Sequence, residues 1–454
     1  MVLKRVQGVV GWTALLVIFL SVIPIGANLH VVWLLLSMAI LALFAVQIVI
    51  DTVDRTGAKV RERLWLPALG VFVTFVWAYV QFSTDVPRGW INDAWSWVDE
   101  PGMVAVDPSR GRHILTRLMA YAMVFWIALR AAMDERRAIG FIKAIAVWSL
   151  LVAGYGILVT LTGRDWIADG EAPANLSATF VNRNSYATYA GFGLAANLAV
   201  VWLLLEKGLD GTRGSRAAFR NTLEALVSGA WLYVFGALVV AAALMLTVSR
   251  AGIVSGAVGV FAFIIVLRLR GGGDGRRALW PAVAAVGAVA VYAGLSGLET
   301  FLSRAVDVDT EEARFSAYPR IVQAIAADPL LGQGLGGFQD VFRQYVSPEL
   351  GRGEWDMAHS TYLENIMELG VVAAVLFYTA LAAILWRLYT GTRERRRNAA
   401  VPAFALAVAG IGALHSLVDF SLQLPATAAL FAFILGLGWS QSFPQRDRMA
   451  PDDD

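Results

Sequence analysis

The chain is built from apolar runs. Stretches of about 17 to 25 residues, nearly free of charge, recur from residue 8 to residue 442. That is the length an α-helix needs to cross the hydrocarbon core of a bilayer. The runs fall at 8–27, 31–50, 64–82, 114–130, 144–162, 186–205, 226–248, 251–267, 279–297, 361–385, 401–420 and 425–442. A backbone in lipid must satisfy its own polar groups, and a helix does so within one segment. The expectation is an all-α polytopic membrane protein of about 12 transmembrane helices. It forms a single multi-span domain over 1–454, with a large external loop, 298–360, before the tenth helix. Composition agrees, being 58% hydrophobic and 16% charged, outside the range of soluble domains. Cysteine is absent, which excludes disulfides and thiolate metal sites. The first run follows Lys4 and Arg5 like a signal peptide, but its length and the immediate second span favour a retained anchor.

Basic residues orient the spans. With the N-terminus in the cytoplasm and the chain alternating sides, every cytoplasmic connection is basic, from Arg55–Arg63 to Arg387–Arg397. Most of the 37 lysines and arginines then lie inside, as the positive-inside rule requires. Both termini are expected in the cytoplasm. The net charge of +2 conceals this polarity and gives no sign of nucleic-acid binding.

Three external loops are long enough to fold over the membrane surface. The first, 83–113, contains "PRGWINDAWSWVDEPG", whose tryptophans suit an interfacial belt. The second, 163–185, runs into "ATFVNRNSYATY". In the third, 298–360, "RFSAYPRIVQAIAADPLLG" places Ile321, Val322 and Ile325 on one face of a short amphipathic helix. Pro319 stands early in that helix and Pro329 ends it. "GQGLGGF", 332–338, then reads either as a tight structural turn or as a phosphate cradle. It is no dinucleotide fingerprint, because no strand precedes it and the glycine spacing is wrong.

The polar residues with chemical potential gather on this external side. In "MAHSTYLENIMELG", 357–370, "TYLE" has capping-box spacing, with Thr361 as N-cap and Glu364 reaching back. His359 stands two residues before that cap. It is either a base at a helix start or only a polar residue where the helix begins. "LTVSRAGIVSG" breaks an apolar stretch, 226–267, too long for one span. The break implies an external hairpin with Arg250 at its tip. Arg250 is either a snorkelling cation or the partner of an anion. Arg183, Arg314 and Arg320 share its side of the membrane, and guanidinium groups beside a base suit a pyrophosphate. His415 and Asp419 are one helical turn apart near the outer end of the eleventh span, a functional pair or a helix-packing bond.

Taken in order, these motifs resemble the O-antigen ligase/polymerase superfamily. The resemblance rests on "SRAG" at 249–252, Arg314 ahead of "PLLGQGLGGF", and "AHSTYLENIMELG" at 358–370. The upstream "ATFVNRNSYATY" and the late "HSLVDFSLQLP" at 415–425 are also similar to it. No single motif is strong, but five in order over nearly the whole chain are fairly specific. Its ligase-related core corresponds to 226–385. One departure is Tyr318, where the family usually has tryptophan.

The resemblance implies transfer of a glycan from an undecaprenyl-pyrophosphate carrier to an acceptor hydroxyl, at the outer face of a bacterial inner membrane. The acceptor is a lipid A core sugar in ligases and another lipid-linked glycan in polymerases. No cofactor is implied. The family's essential arginines and histidine map onto Arg250, Arg314 and His359. On this reading His359 is the catalytic base and Arg250 and Arg314 hold the pyrophosphate, aided by Arg183 and Arg320, with Asp419 and His415 in support. "DVD" at 307–309 resembles a transferase metal pair but reads better as an acidic loop, because no soluble nucleotide domain accompanies it. A transporter or flippase of lipid-linked glycans is the alternative. It would place ionisable residues at the membrane midplane and would show repeats, whereas these candidates cluster at the interface.

Overall fold

A computed structural model describes residues 2–209, 215–269, 309–347, 350 and 354–449. The described chain is helical, apart from one two-stranded hairpin pairing Arg164–Asp165 with Gly170–Glu171. The helices are α1 (Val2–Val22), α2 (His30–Val53), α3 (Ala58–Glu62), α4 (Trp65–Val80), α5 (Pro108–Ala131), α6 (Glu135–Thr162), α7 (Arg183–Leu209) and α8 (Ser215–Ala225). There follow α9 (Trp231–Leu246), α10 (Arg250–Leu269), α11 (Asp309–Ala327), α12 (Phe338–Phe342), α13 (Thr361–Glu394), α14 (Ala400–His415), α15 (Pro425–Gln441) and α16 (Gln445–Met449).

Among the described residues, 8 helices are long and apolar enough to cross a membrane. Three shorter apolar helices, α4, α14 and α15, stand where the sequence also shows spans. The expected ninth span, 279–297, lies outside the described residues. Lipid-facing sides are plain on α2 and α4, where Leu35, Met38, Val49 and Phe72 are exposed. Such apolar surface is stable only against hydrocarbon. By contrast, the apolar window of α7 is 94% buried. It is the central helix, packed by α6, α9, α10 and α14.

The two ends of the bundle are built differently. At one end, fully buried Arg130 bonds Asp51 at 2.7 Å and Asp54 at 3.3 Å, closing α5 onto the end of α2. Nearby, Glu135 accepts from Arg395 at 2.6 Å and from Arg448 at 3.1 Å, which draws the end of α13 and α16 to the start of α6. These ion pairs bring together chain segments that alternation assigns to one side of the membrane.

At the opposite end, the loops that precede α5 and α12 interlock with a broken helix. Gly370 interrupts α13 with a φ of 77° and a ψ of 160°, so a short piece before it precedes the long span. The turn 332–337 fills the break. Gln333 N–H donates to Met367 O at 2.9 Å, Gly334 N–H to Glu368 O at 3.0 Å, and Val371 N–H to Pro329 O at 2.8 Å. Loose backbone groups at a helix break are thus satisfied by a neighbouring loop. Gly332 is required there, because a Cβ would stand 2.4 Å from the Gly370 nitrogen. Gln81, buried at the end of α4, ties the assembly: its amide donates to Leu331 O and Glu368 O, and its oxygen accepts from Leu335 N–H.

The absence of cysteine makes sidedness simple to test. Exposed Ser316 and exposed Gln445 lie at opposite ends by the alternation. In spheroplasts, Ser316→Cys should react with a membrane-impermeant maleimide, and Gln445→Cys only after permeabilisation. The reverse pattern would overturn the assigned orientation.

Candidate active site

Arg250 owes its position to its neighbours in "SRAG". α9 ends at Leu246 and α10 begins at Arg250, so the connection is the tight hairpin that the apolar stretch implies. Ser249 caps α10, its Oγ accepting from Gly252 N–H at 3.2 Å. A Cβ on Gly252 would meet the Ala187 Cβ at 2.3 Å, so glycine here lets α10 lie directly on α7. Arg183 is the first residue of α7, one turn before Ala187. Two helix starts, each led by an arginine, therefore stand side by side. Both guanidinium-bearing residues are half-buried.

The start of α7 is docked onto the end of α14. Asn184 Nδ2 donates to Asp419 Oδ2 at 2.7 Å, and Thr188 Oγ1 pairs with His415 Nδ1. Asp419 Oδ1 also accepts from Phe420 N–H at 2.7 Å and Ser421 Oγ at 3.3 Å. α14 ends at His415, so Asp419 lies in the turn that follows and not on the eleventh span, as the spacing suggested. Each of the two bonds a different polar residue of α7, a turn apart. Their visible role is to fasten α14 to α7.

The same turn receives α13. Thr361 N–H donates to Ser416 O at 3.0 Å, and Thr361 Oγ1 to Asp419 O at 3.0 Å. The capping residue is Ser360, not Thr361, and its hydroxyl makes no cap bond. Glu364 does reach back, but further than a capping box: its Oε2 accepts from Ala358 N–H at 2.8 Å, and its Oε1 from Gln423 Nε2 at 3.0 Å.

His359 stands just before this helix, half-buried, with its ring 5.1 Å from that of Phe420 and 6.0 Å from that of Trp355. Its φ is +51°. A left-handed conformation costs a residue with a Cβ about 1–2 kcal/mol, though His tolerates it better than most.

α11 closes the site from the loop side. It begins at Asp309, so Pro319 lies inside it and not near its start. Its buried face is Ala317, Ile321 and Ala324, whereas Val322 is 52% exposed. That face packs on Phe338, Phe342, Ala358 and Met367, because the partner is the loop core. From this helix, Tyr318 Oη donates to the His359 carbonyl at 3.0 Å. Arg314 stands one turn before Tyr318, its side chain outside the described part of the structure. Arg320 reaches along its own helix to Gln323 Oε1 at 3.4 Å. Residues 307 and 308 of "DVD" lie outside the described residues. The "GQGLGG" turn is buried against α13 and α5, so its glycines have a structural reason to be there.

Beneath Thr361 and Phe420 opens a cavity of about 1530 Å³, lined from Leu64 and Trp126 at the Arg130 end up to Gln339 and Asp356. It is larger than the roughly 300–1000 Å³ of small-molecule pockets. Its walls are mostly apolar, from α4, α5, α13 and α15. Polar groups collect at its upper end, where Arg110 donates to Gln339 at 2.5 Å and Gln339 to Asp356 at 2.7 Å. This shape suits an amphiphile with a long chain. The cavity has no sequence signature, because its walls come from helices far apart in the chain. Nor does Gln81, although a lone glutamine at the end of an apolar span was a visible oddity.

The structure thus gathers the starts of α7, α10 and α13 and the end of α14, and brings Tyr318 of α11 onto His359. Comparison with curated proteins finds no match. A family model described as O-Antigen ligase matches residues 235–378, a stretch that includes Arg250, Arg314 and His359. The chain is a protein of membrane-spanning helices that carries an O-antigen ligase domain match over residues 235–378.

Proposed function

We propose that the chain transfers a glycan from undecaprenyl pyrophosphate to an acceptor hydroxyl, on a lipid A core sugar or a growing polysaccharide, at the outer face of the bacterial inner membrane. The observation that supports this reading is that the turn after α14 joins the starts of α7 and α13, through Asn184 and Thr361 on Asp419, while Phe420 of the same turn meets the His359 ring and lines the cavity. His359 takes the proton of the acceptor hydroxyl as its oxygen attacks the anomeric carbon. The bond from that carbon to the pyrophosphate oxygen breaks, and undecaprenyl pyrophosphate leaves with the electron pair. Arg250 and Arg314, with Arg183 and Arg320 behind them, bind the anion through paired N–H groups. Asp419 and His415 hold the helix starts in place. We take 226–385 as the ligase-related core, with 298–360 as its external loop.

Against a transporter, the chemical residues lie at one end of the bundle and not at midplane, and the break in α13 is near its start.

Cells lacking the gene should accumulate both donor and acceptor in their membranes, and purified protein added back should join them. Since guanidinium groups neutralise the leaving group, the reaction should continue in excess chelator. No transfer on add-back would sink the proposed reaction. Loss on chelation, restored by magnesium or manganese, would instead assign the leaving group to a metal.

A further inference from the structure

We propose that Tyr318 and Glu364 are positioning residues for His359. Together they clamp the chain on both sides of it and fix the left-handed backbone from which the imidazole projects. The proposal rests on His359 being the base.

The argument begins with the strain. His359 has a φ of +51°, and a residue with a side chain keeps such a conformation only where its surroundings over-determine it. Two side chains supply that determination from opposite directions. Before the imidazole, the Glu364 carboxylate holds the Ala358 N–H at 2.8 Å. After it, the Tyr318 hydroxyl holds the His359 carbonyl at 3.0 Å. Ala358 is wholly buried, and Glu364 is 6% exposed, so water cannot readily substitute for the lost bond.

Neither contact is explained by secondary structure alone. A glutamate completing a capping box would bond the amide of the capping residue, here Ser360. Glu364 passes that amide and reaches the turn that carries His359. Its other oxygen is held by Gln423 Nε2 at 3.0 Å, from the segment that follows Asp419, so the carboxylate is itself aimed. Tyr318 comes from a different element and sits one turn after Arg314 on α11. Its hydroxyl therefore sets the base against the helix that carries an arginine of the leaving-group site. A shift of about 1 Å in a reacting group can cost about a hundredfold in rate, so the clamp should govern turnover more than donor binding.

The test compares four variants of the full-length protein in lipid nanodiscs. Donor extracted from cells lacking the gene is titrated with acceptor in excess, and binding of undecaprenyl pyrophosphate is measured on the same preparations. Tyr318→Phe deletes only the hydroxyl, and Glu364→Ala removes the carboxylate. Both should lower kcat by about tenfold to a hundredfold while KM and undecaprenyl pyrophosphate binding stay near normal. Glu364→Gln retains an oxygen for the Ala358 amide, and the Gln423 amide can turn to meet its new N–H. Tyr318→Trp keeps an N–H donor. Each should restore most of the turnover lost in its partner variant. Unchanged kcat in Tyr318→Phe and Glu364→Ala would overturn the clamp, as would a loss that follows binding or that Gln and Trp do not relieve. Should Glu364→Ala fail to fold, Tyr318→Phe decides alone. His359→Asn, assayed alongside, separates the two claims. If it retains turnover, the proposed base is wrong. If it is inactive while the four clamp variants are normal, only the clamp fails.

Discussion

His359→Asn should leave the protein folded and inserted, still binding undecaprenyl pyrophosphate, and should slow glycan transfer by about a hundredfold to ten-thousandfold, the usual contribution of a positioned base. Asparagine is the informative replacement because the position is left-handed, with a φ of +51°, and Asn shares with His a tolerance of that region. Alanine would combine loss of the base with backbone strain, whereas the Asn amide keeps a polar side chain that cannot accept a proton. The rate and the binding constant must come from the same purified variant. A fall of less than about tenfold, or a loss of binding that accompanies the loss of rate, would make His359 a structural or binding residue.

Arg250→Lys and Arg314→Lys should each weaken undecaprenyl pyrophosphate binding and transfer by about tenfold to a hundredfold, the scale of a charge-assisted hydrogen bond of about 1.5–3 kcal/mol. Lysine keeps the charge but not the planar fork that meets two phosphate oxygens at once. The prediction is firmest at Arg250, which Ser249 and the close α7–α10 contact at Gly252 hold at the first turn of α10. Arg320, already bonded to Gln323 along its own helix, should lose less on the same change. Near-normal binding by Arg250→Lys, with normal expression, would reduce the arginines to a general electrostatic role.

Much of the architecture was legible because bilayer physics writes it locally. A run such as 31–50 must be helical wherever it packs, and the apolar stretch 226–267, too long for one span, had to turn back on itself at "SRAG". Helix boundaries near the loops were less legible. Pro319 looked like an early helical residue, yet α11 starts at Asp309. Val322 looked buried, yet the core contacts fell to Ala317, Ile321 and Ala324. Periodicity says that a helix has an apolar face, but only the partner surface decides which residues form it.

The sequence by itself determined the membrane class, the placement of the apolar helices among the described residues, and the resemblance to the O-antigen ligase family that the match over 235–378 supports. These follow from segment composition and from the order of short motifs, each readable within a few residues. Only the tertiary structure decided that the starts of α7, α10 and α13 meet the end of α14, that "GQGLGG" repairs a broken helix, and that Glu364 and Tyr318 grip the chain around His359. Those contacts join residues tens to hundreds of positions apart, such as Asn184 to Asp419 and Gln81 to Glu368. Their partners are selected by packing geometry, which no local pattern of side chains encodes.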